Sequence, residues 1–303
     1  MKTLKALIIR NTKMFFKDKG LFFSSLITPM ILLVLYISFL GNVYRDSLLM
    51  SMPEGVVLDE GIVNGFVSGQ LISSILAVCC VTVSFCSNML MVQDRANGTA
   101  KDLFVTPTKP HIFALGYYFA TLISTMIISL FATGVCLIYS AVAGFYMSFG
   151  DVLLVLLDTV LLVMFGTALS SVINFFLTSQ GQISAVGTIV SSGYGFICGA
   201  YMPISQFSDG LQRVIMLLPG TYGTSLIRSH AMRGVFEEMT ATGISPDAVK
   251  AVADSIDSNI YFFGREVPEG AKWAVLVLTV TALVGLYVLL NIVRNRKNRR
   301  KCK

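Results

Sequence analysis

Apolar residues fall along this chain in long blocks, not in the short periodic stripes of a water-soluble fold. Blocks at residues 21–41, 66–92, 112–145, 152–177, 183–202 and 272–293 each supply the roughly 20 residues that a helix needs to cross about 30 Å of hydrocarbon. The third is longer than a bilayer requires, which predicts a tilt, an extension past the membrane, or a short turn near Gly144. Ahead of the first block, Leu4, Leu7, Ile8, Met14 and Phe15 recur at helical spacing opposite Arg10, Lys13 and Lys17, as in a helix lying in the membrane interface. Ile9 and Phe16 fall off that stripe.

The polar intervals are short, with one exception. Ser179-Gln180-Gly181-Gln182 is a tight uncharged turn that makes the fourth and fifth blocks an antiparallel hairpin. Residues 203–271 form the largest interval. Within it, residues 211–232 are too apolar for a free loop and too interrupted for a span, so they are expected to dip into the membrane surface or cap the bundle. Ser245 at an N-cap and Pro246 at the first helical position then start a helix. Its stripe of Val249, Val252, Ile256, Ile260 and Phe263 ends at Gly264, and it is expected to lie over the mouth of the bundle.

Composition supports this pattern. Of 303 residues, 54% are hydrophobic and only 13% charged, about half the charged fraction of a soluble domain. Between Lys109 and Arg213 no Lys or Arg occurs, and the carboxylates there are Asp151, Asp158 and Asp209. The fold class is therefore an all-α integral membrane protein with six transmembrane helices. With both termini cytoplasmic, sixteen of the 23 basic residues face the cytoplasm, as the positive-inside rule requires. Residues 1–20 are the interfacial helix, 21–293 the transmembrane domain with a cytoplasmic loop at 93–110 and an external segment at 203–271, and 294–303 a basic tail. The tail starts where a membrane helix ends, so it suits anionic lipid better than nucleic acid. The six cysteines show no metal-ligand spacing, and five of them lie inside apolar blocks.

Little in the chain suggests catalysis. His111 and His230 are the only histidines, no His-Glu-x-x-His occurs, and no nucleotide-binding Gly-x-x-x-x-Gly-Lys-Ser/Thr loop is present. No catalytic, cofactor-binding or metal site is expected, and any ATP and Mg would be used by a partner. Asp158 is the one acid well inside a block. A helix-to-helix hydrogen bond near the outer boundary explains it more simply than a transport role. Gly187, Ser191, Gly195 and Gly199 recur every fourth residue, a row that lets another backbone approach and would make the fifth helix central.

The segment after the second block is the most specific. Asp94-Arg95-x-Asn97-Gly98-Thr99, followed by Leu103 and Val105-Thr106-Pro107, resembles the cytoplasmic coupling loop of ABC-2 type permeases, the type V exporters. The N-terminal stripe is similar to that family's connecting helix. Pro203, Leu218-Pro219-x-x-Tyr222 and Arg228 resemble its outer gate. The resemblance implies the membrane half of an exporter, paired as a homodimer or with a second permease in the cell membrane. A separate ABC ATPase would dock on Asp94, Arg95, Asn97, Gly98, Thr99, Leu103, Thr106 and Pro107. Drugs, peptides, lipid-linked polymers and sodium are the cargoes it brings with it. Where the family often carries a second acid, this chain has Ala96. Asn88, Asp158, Ser191, Ser192, Tyr194 and Phe196 are candidates for the substrate path. Two readings from other classes remain, an ATP-independent channel or carrier and a membrane scaffold or receptor.

Overall fold

The computed structural model describes residues 2–52, 58–99, 109–262 and 264–301. Helix α1 (Lys2–Lys17) is followed by α2 (Lys19–Leu35), which passes through a π-turn at Tyr36–Leu40 into α3 (Gly41–Met50). The remaining helices are α4 (Glu60–Ala96), α5 (Pro110–Ala143), α6 (Phe149–Phe176), α7 (Gln180–Ile197), α8 (Asp209–Ile215), α9 (Pro219–Ala241), α10 (Pro246–Ser255) and α11 (Glu269–Lys301). A two-residue hairpin, Tyr261–Phe262 with Arg265–Glu266, precedes α11, and Gly264 turns it at φ +78°.

Among the described residues, five helices are long and apolar enough to cross a membrane: Lys19–Met50, Glu60–Ala96, His111–Ala143, Phe149–Phe176 and Glu269–Arg294. The first outruns its predicted limit at residue 41 by nine residues, because its helix continues through the π-turn. The third ends at Gly144, where a turn was expected; a Cβ there would lie 2.9 Å from the Gly61 carbonyl oxygen, so the close approach requires glycine. The block at 183–202 does not stay helical to its end. Helix α7 stops at Ile197, and Gly199 at φ +71° closes it with Ala200 N–H donating to the Gly195 carbonyl. Its 18 residues span about 27 Å, short of a full crossing.

The centre of the bundle is α4, not α7. No charged residue interrupts it between Glu60 and Asp94, and its most apolar window is 94% buried. Some of its polar side chains are satisfied locally: Ser73, Thr82 and Ser84 donate to carbonyls three or four residues earlier in the helix. Helices α2, α5, α6, α7 and α9 all pack around it. At Gly166 of α6 a Cβ would meet the Cys80 carbonyl oxygen at 2.8 Å, so α4 and α6 pack backbone to backbone. Helix α7 rests mainly on α4 and leaves much of its surface open. Its glycine row also does something else. Gly187 faces the Met89 side chain, Gly195 makes room for Tyr201 of the same segment, and Gly199 forms the turn.

The segment expected to dip into the membrane enters the bundle. Gly220 at the start of α9 lies against Phe165 and Tyr194, Gly223 against Leu162, and further along Met232 lies beside Gly69 and Val235 beside Gly65. Fifteen residues of α4 separate Gly65 from Cys80, which lies opposite Gly166, so α9 spans about 22 Å of bundle depth from one end toward the middle. Helix α10 begins with the expected Ser245 cap but ends at Ser255; Asp257 at φ +57° breaks the stripe. Ile256 and Ile260 still reach the core, from a turn and not from a helix. Phe263 lies outside the described residues.

Candidate functional site

At its C-terminal end α4 carries two charged side chains that point apart. The Asp94 carboxylate takes both guanidinium nitrogens of Arg10 on α1, at 2.7 and 3.1 Å, and the Tyr117 hydroxyl of α5 at 2.6 Å. Burial and three donors leave Asp94 only 4% exposed. The hydrogen bond to Asp94 pushes Arg10 above its ordinary value, against its own partial burial. Thus the stripe of α1 packs against the bundle through Leu7, Asn11 and Phe15, and its polar side is held by one ion pair.

Arg95, one position on, turns toward the end of α6. It donates to the carbonyls of Phe175 at 2.8 Å and Asn174 at 3.2 Å, and lies 5.5 Å over the Phe175 ring. Those carbonyls belong to the last turn of α6, where orphan acceptors and the helix dipole favour a cation. Arg294 of α11 lies 5.2 Å from the same ring and donates to the Phe175 carbonyl at 3.3 Å. Helices α1 and α11 therefore both reach this end of the bundle. Two side chains expected to face an ATPase are engaged within the chain. What they leave open is the turn beyond: Ala96 and Asn97 are exposed, and Gly98 at φ +83° leads to Thr99. Leu103, Thr106 and Pro107 lie outside the described residues.

A second feature lies in the membrane-spanning part. A cavity of about 1010 Å³ opens between α2 and α7, with Cys86, Met89 and Gln93 of α4 as its floor. Its walls are apolar with scattered hydroxyls. Ser191, Ser192 and Phe196 of α7, three of the candidates for the substrate path, line it together with Gly187, and so does α2 through Ser24, Ile27 and Ile31, which the sequence reading did not include. Asn88, Asp158 and Tyr194 do not line it. Asn88 donates to Ser170 at 3.1 Å and Ser171 at 3.0 Å on α6, and Tyr194 is buried against Gly220. The signal missed in α2 was its open face: Ile27, Met30, Ile31 and Val34 are each more than half exposed.

At the opposite end lie the residues proposed for a gate, of which Tyr222 and Arg228 tie segments together. Leu218 caps α9, Pro219 occupies its first position, and the Tyr222 hydroxyl donates to the Met216 carbonyl at 2.7 Å. Pro203 precedes a 3₁₀ turn, Ile204–Gln206. Arg228 is 1% exposed and joins three segments. Its guanidinium donates to Ser73 Oγ on α4 at 3.2 Å, to the Gly199 carbonyl at 2.8 Å, and to the Ile256 carbonyl. Asp257 stands 3.9 Å away. Asp158 does make inter-helix hydrogen bonds, as the simpler reading held, and it does so with complete burial: His230 Nδ1 of α9 lies at 2.5 Å and the Trp273 indole N–H of α11 donates at 2.8 Å.

No curated protein matches this sequence. A family model does: residues 2–232 match the ABC-2 type transporter, a stretch running from the Arg10 end of α1 through the Asp94 turn and most of α9. By that match the chain belongs to the ABC-2 type transporter family and is the transmembrane component of an ABC transporter.

Proposed function

We propose that the chain is the permease half of an exporter, with both termini in the cytoplasm of the cell and a separate ABC ATPase docked at residues 93–110. Helix α7 and the stretch after it complete a sixth crossing. ATP-driven closure pushes on the turn at Asn97–Thr99, and α4 carries the displacement into the bundle. The observation that supports this reading most is the Asp94 joint. A push on an exposed turn does work only if the helix behind it is gripped, and α4 is gripped from two sides, by Arg10 and Tyr117 on one and by the end of α6 through Arg95 on the other.

Cargo enters the groove between α2 and α7 from the cytoplasm or the inner leaflet. Its apolar walls and Ser, Thr and Gln side chains suit an amphiphilic drug-like substrate. The same open faces of α2 and α7 are where a second permease, identical or not, would close the groove. Co-purification from native membranes tests the whole reading: an ATPase subunit and substrate-stimulated ATP hydrolysis are expected. Substrate movement by the purified chain alone would replace it with an ATP-independent carrier.

A further inference from the structure

The buried cluster around His230 is arranged to take up a proton. His230 is fully buried on α9, and with its proton on Nδ1 it donates to Asp158 on α6. The other ring nitrogen, Nε2, has no hydrogen-bond partner. An unsatisfied buried acceptor carries a desolvation cost. What faces it, at 3.6 Å, is Glu269 Oε2 of α11, another acceptor. Two acceptors facing each other lack only a proton between them. A proton on Nε2 converts the orphan into a donor and places the imidazolium between two carboxylates.

The site has a route to water. The Glu269 side chain is 48% exposed and lies on the wall of a cavity of about 350 Å³ at the end of the bundle that carries the hairpin before α11. Glu237 of α9 lines the same cavity, and the other charged groups there are committed. Arg233, one turn along α9, holds Asp151 of α6 and Glu269, each at 3.2 Å. Lys272 of α11 donates to Ser225 Oγ and the Ser258 carbonyl, and Glu266 and Lys250 pair with each other. The α4 and α5 segments packed here, residues 61–93 and 112–143, contribute no charged residue.

We propose that His230 Nε2 is a proton-binding site, reached through Glu269, and that its occupancy sets how tightly α6, α9 and α11 are clamped at this end of the bundle. Acidification on the Glu269 side charges the imidazole and draws the Asp158, His230 and Glu269 side chains together. Because the site is made by this chain alone, it stands independently of the ATP-driven reading.

The chain carries its own reporter. Trp273 is its single tryptophan; it donates to Asp158, and its ring centre lies 5.9 Å from that of His230. A protonated imidazole at that distance quenches indole emission more strongly than a neutral one. The purified full chain, titrated over about pH 5–8, the range in which histidines change charge, is expected to lose Trp273 emission on acidification in a single-proton step. His230→Gln abolishes the step. Asp158→Asn, which removes a carboxylate in direct contact, moves its midpoint to lower pH by about 1–3 units, and Glu269→Gln moves it the same way by less. A flat titration, a step that persists in His230→Gln, or a midpoint unmoved in Asp158→Asn overturns the proposal. If His230→Gln does not fold, the two carboxamide variants decide it.

Discussion

At the end of the bundle that α1 and α11 both reach, Asp94 meets an Arg10 side chain that is 28% exposed, whereas at the opposite end Arg228, His230 and Asp158 are shut away almost completely. Each end joins several segments through charge. The difference is water. A partly hydrated pair is inexpensive to remake after a displacement, while a buried charge stripped of its partners costs several kcal/mol. The first end is the one whose ion pair reaches water. The second is built to hold the inserted helix α9 in one place.

This contrast is sharpest at Arg228. Arg228→Met strands the carbonyls of Gly199 and Ile256, and a loss of about 3–5 kcal/mol is expected. It reads as a large drop in melting temperature of the detergent-solubilised chain. A drop no larger than that of Arg10→Met would erase the distinction between the two ends. Asp94→Ala comes next. It leaves the Arg10 guanidinium and the Tyr117 hydroxyl without their shared acceptor, at about 1.5–3 kcal/mol before allowance for the hydration of Arg10. Export should fail while membrane insertion persists, and Asp94→Glu should recover part of it.

Gly98→Pro probes the joint without touching either pair. At φ +83° proline cannot fit, and the turn lies beyond the core, so export is expected to fall with little change in melting. Normal export in cells would remove this turn from the coupling path. Smallest is the effect of Asp257, whose carboxyl burial holds above its ordinary value of 3.8, opposed by Arg228 and the Ile204 N–H. A raised acid stabilises the fold fully below its unfolded value and loses that contribution as pH rises through the folded one. Asn tolerates the positive φ at this position. Asp257→Asn should therefore melt higher than the native chain at neutral pH, and the advantage should vanish as the pH falls below the ordinary value of 3.8.

The turn at residues 94–99 was legible because its parts are consecutive. Asp94, Arg95, Asn97 and Gly98 stand out between apolar blocks, and a local turn needs only local residues. Their partners were not legible. Arg10 is 84 positions from Asp94 and looked like any interfacial cation. Likewise the periodicity of α1 predicted a helix but not which face would meet α5. The cluster at the other end was harder still, since Asp158, His230 and Trp273 span 115 positions and each alone is an ordinary residue in an apolar setting. The length of block 183–202 misled because hydropathy does not register that Gly199 closes a helix. Its small-residue row suggested a buried face, but backbones meet elsewhere, at Gly166 against Cys80 and at Gly144 against Gly61.

From the sequence alone came the membrane class, the long helices, the helical start, the Asp94 turn and the apolar character of residues 211–232. All of these depend on hydropathy summed over a window or on neighbouring residues. Tertiary structure alone decided that α4 is the hub, that the groove has α2 as a wall, that Asp94 and Arg95 are gripped from within, and that a histidine sits between two carboxylates. Those depend on distances between remote residues in a medium without water, where one added donor or acceptor outweighs many residues of hydropathy.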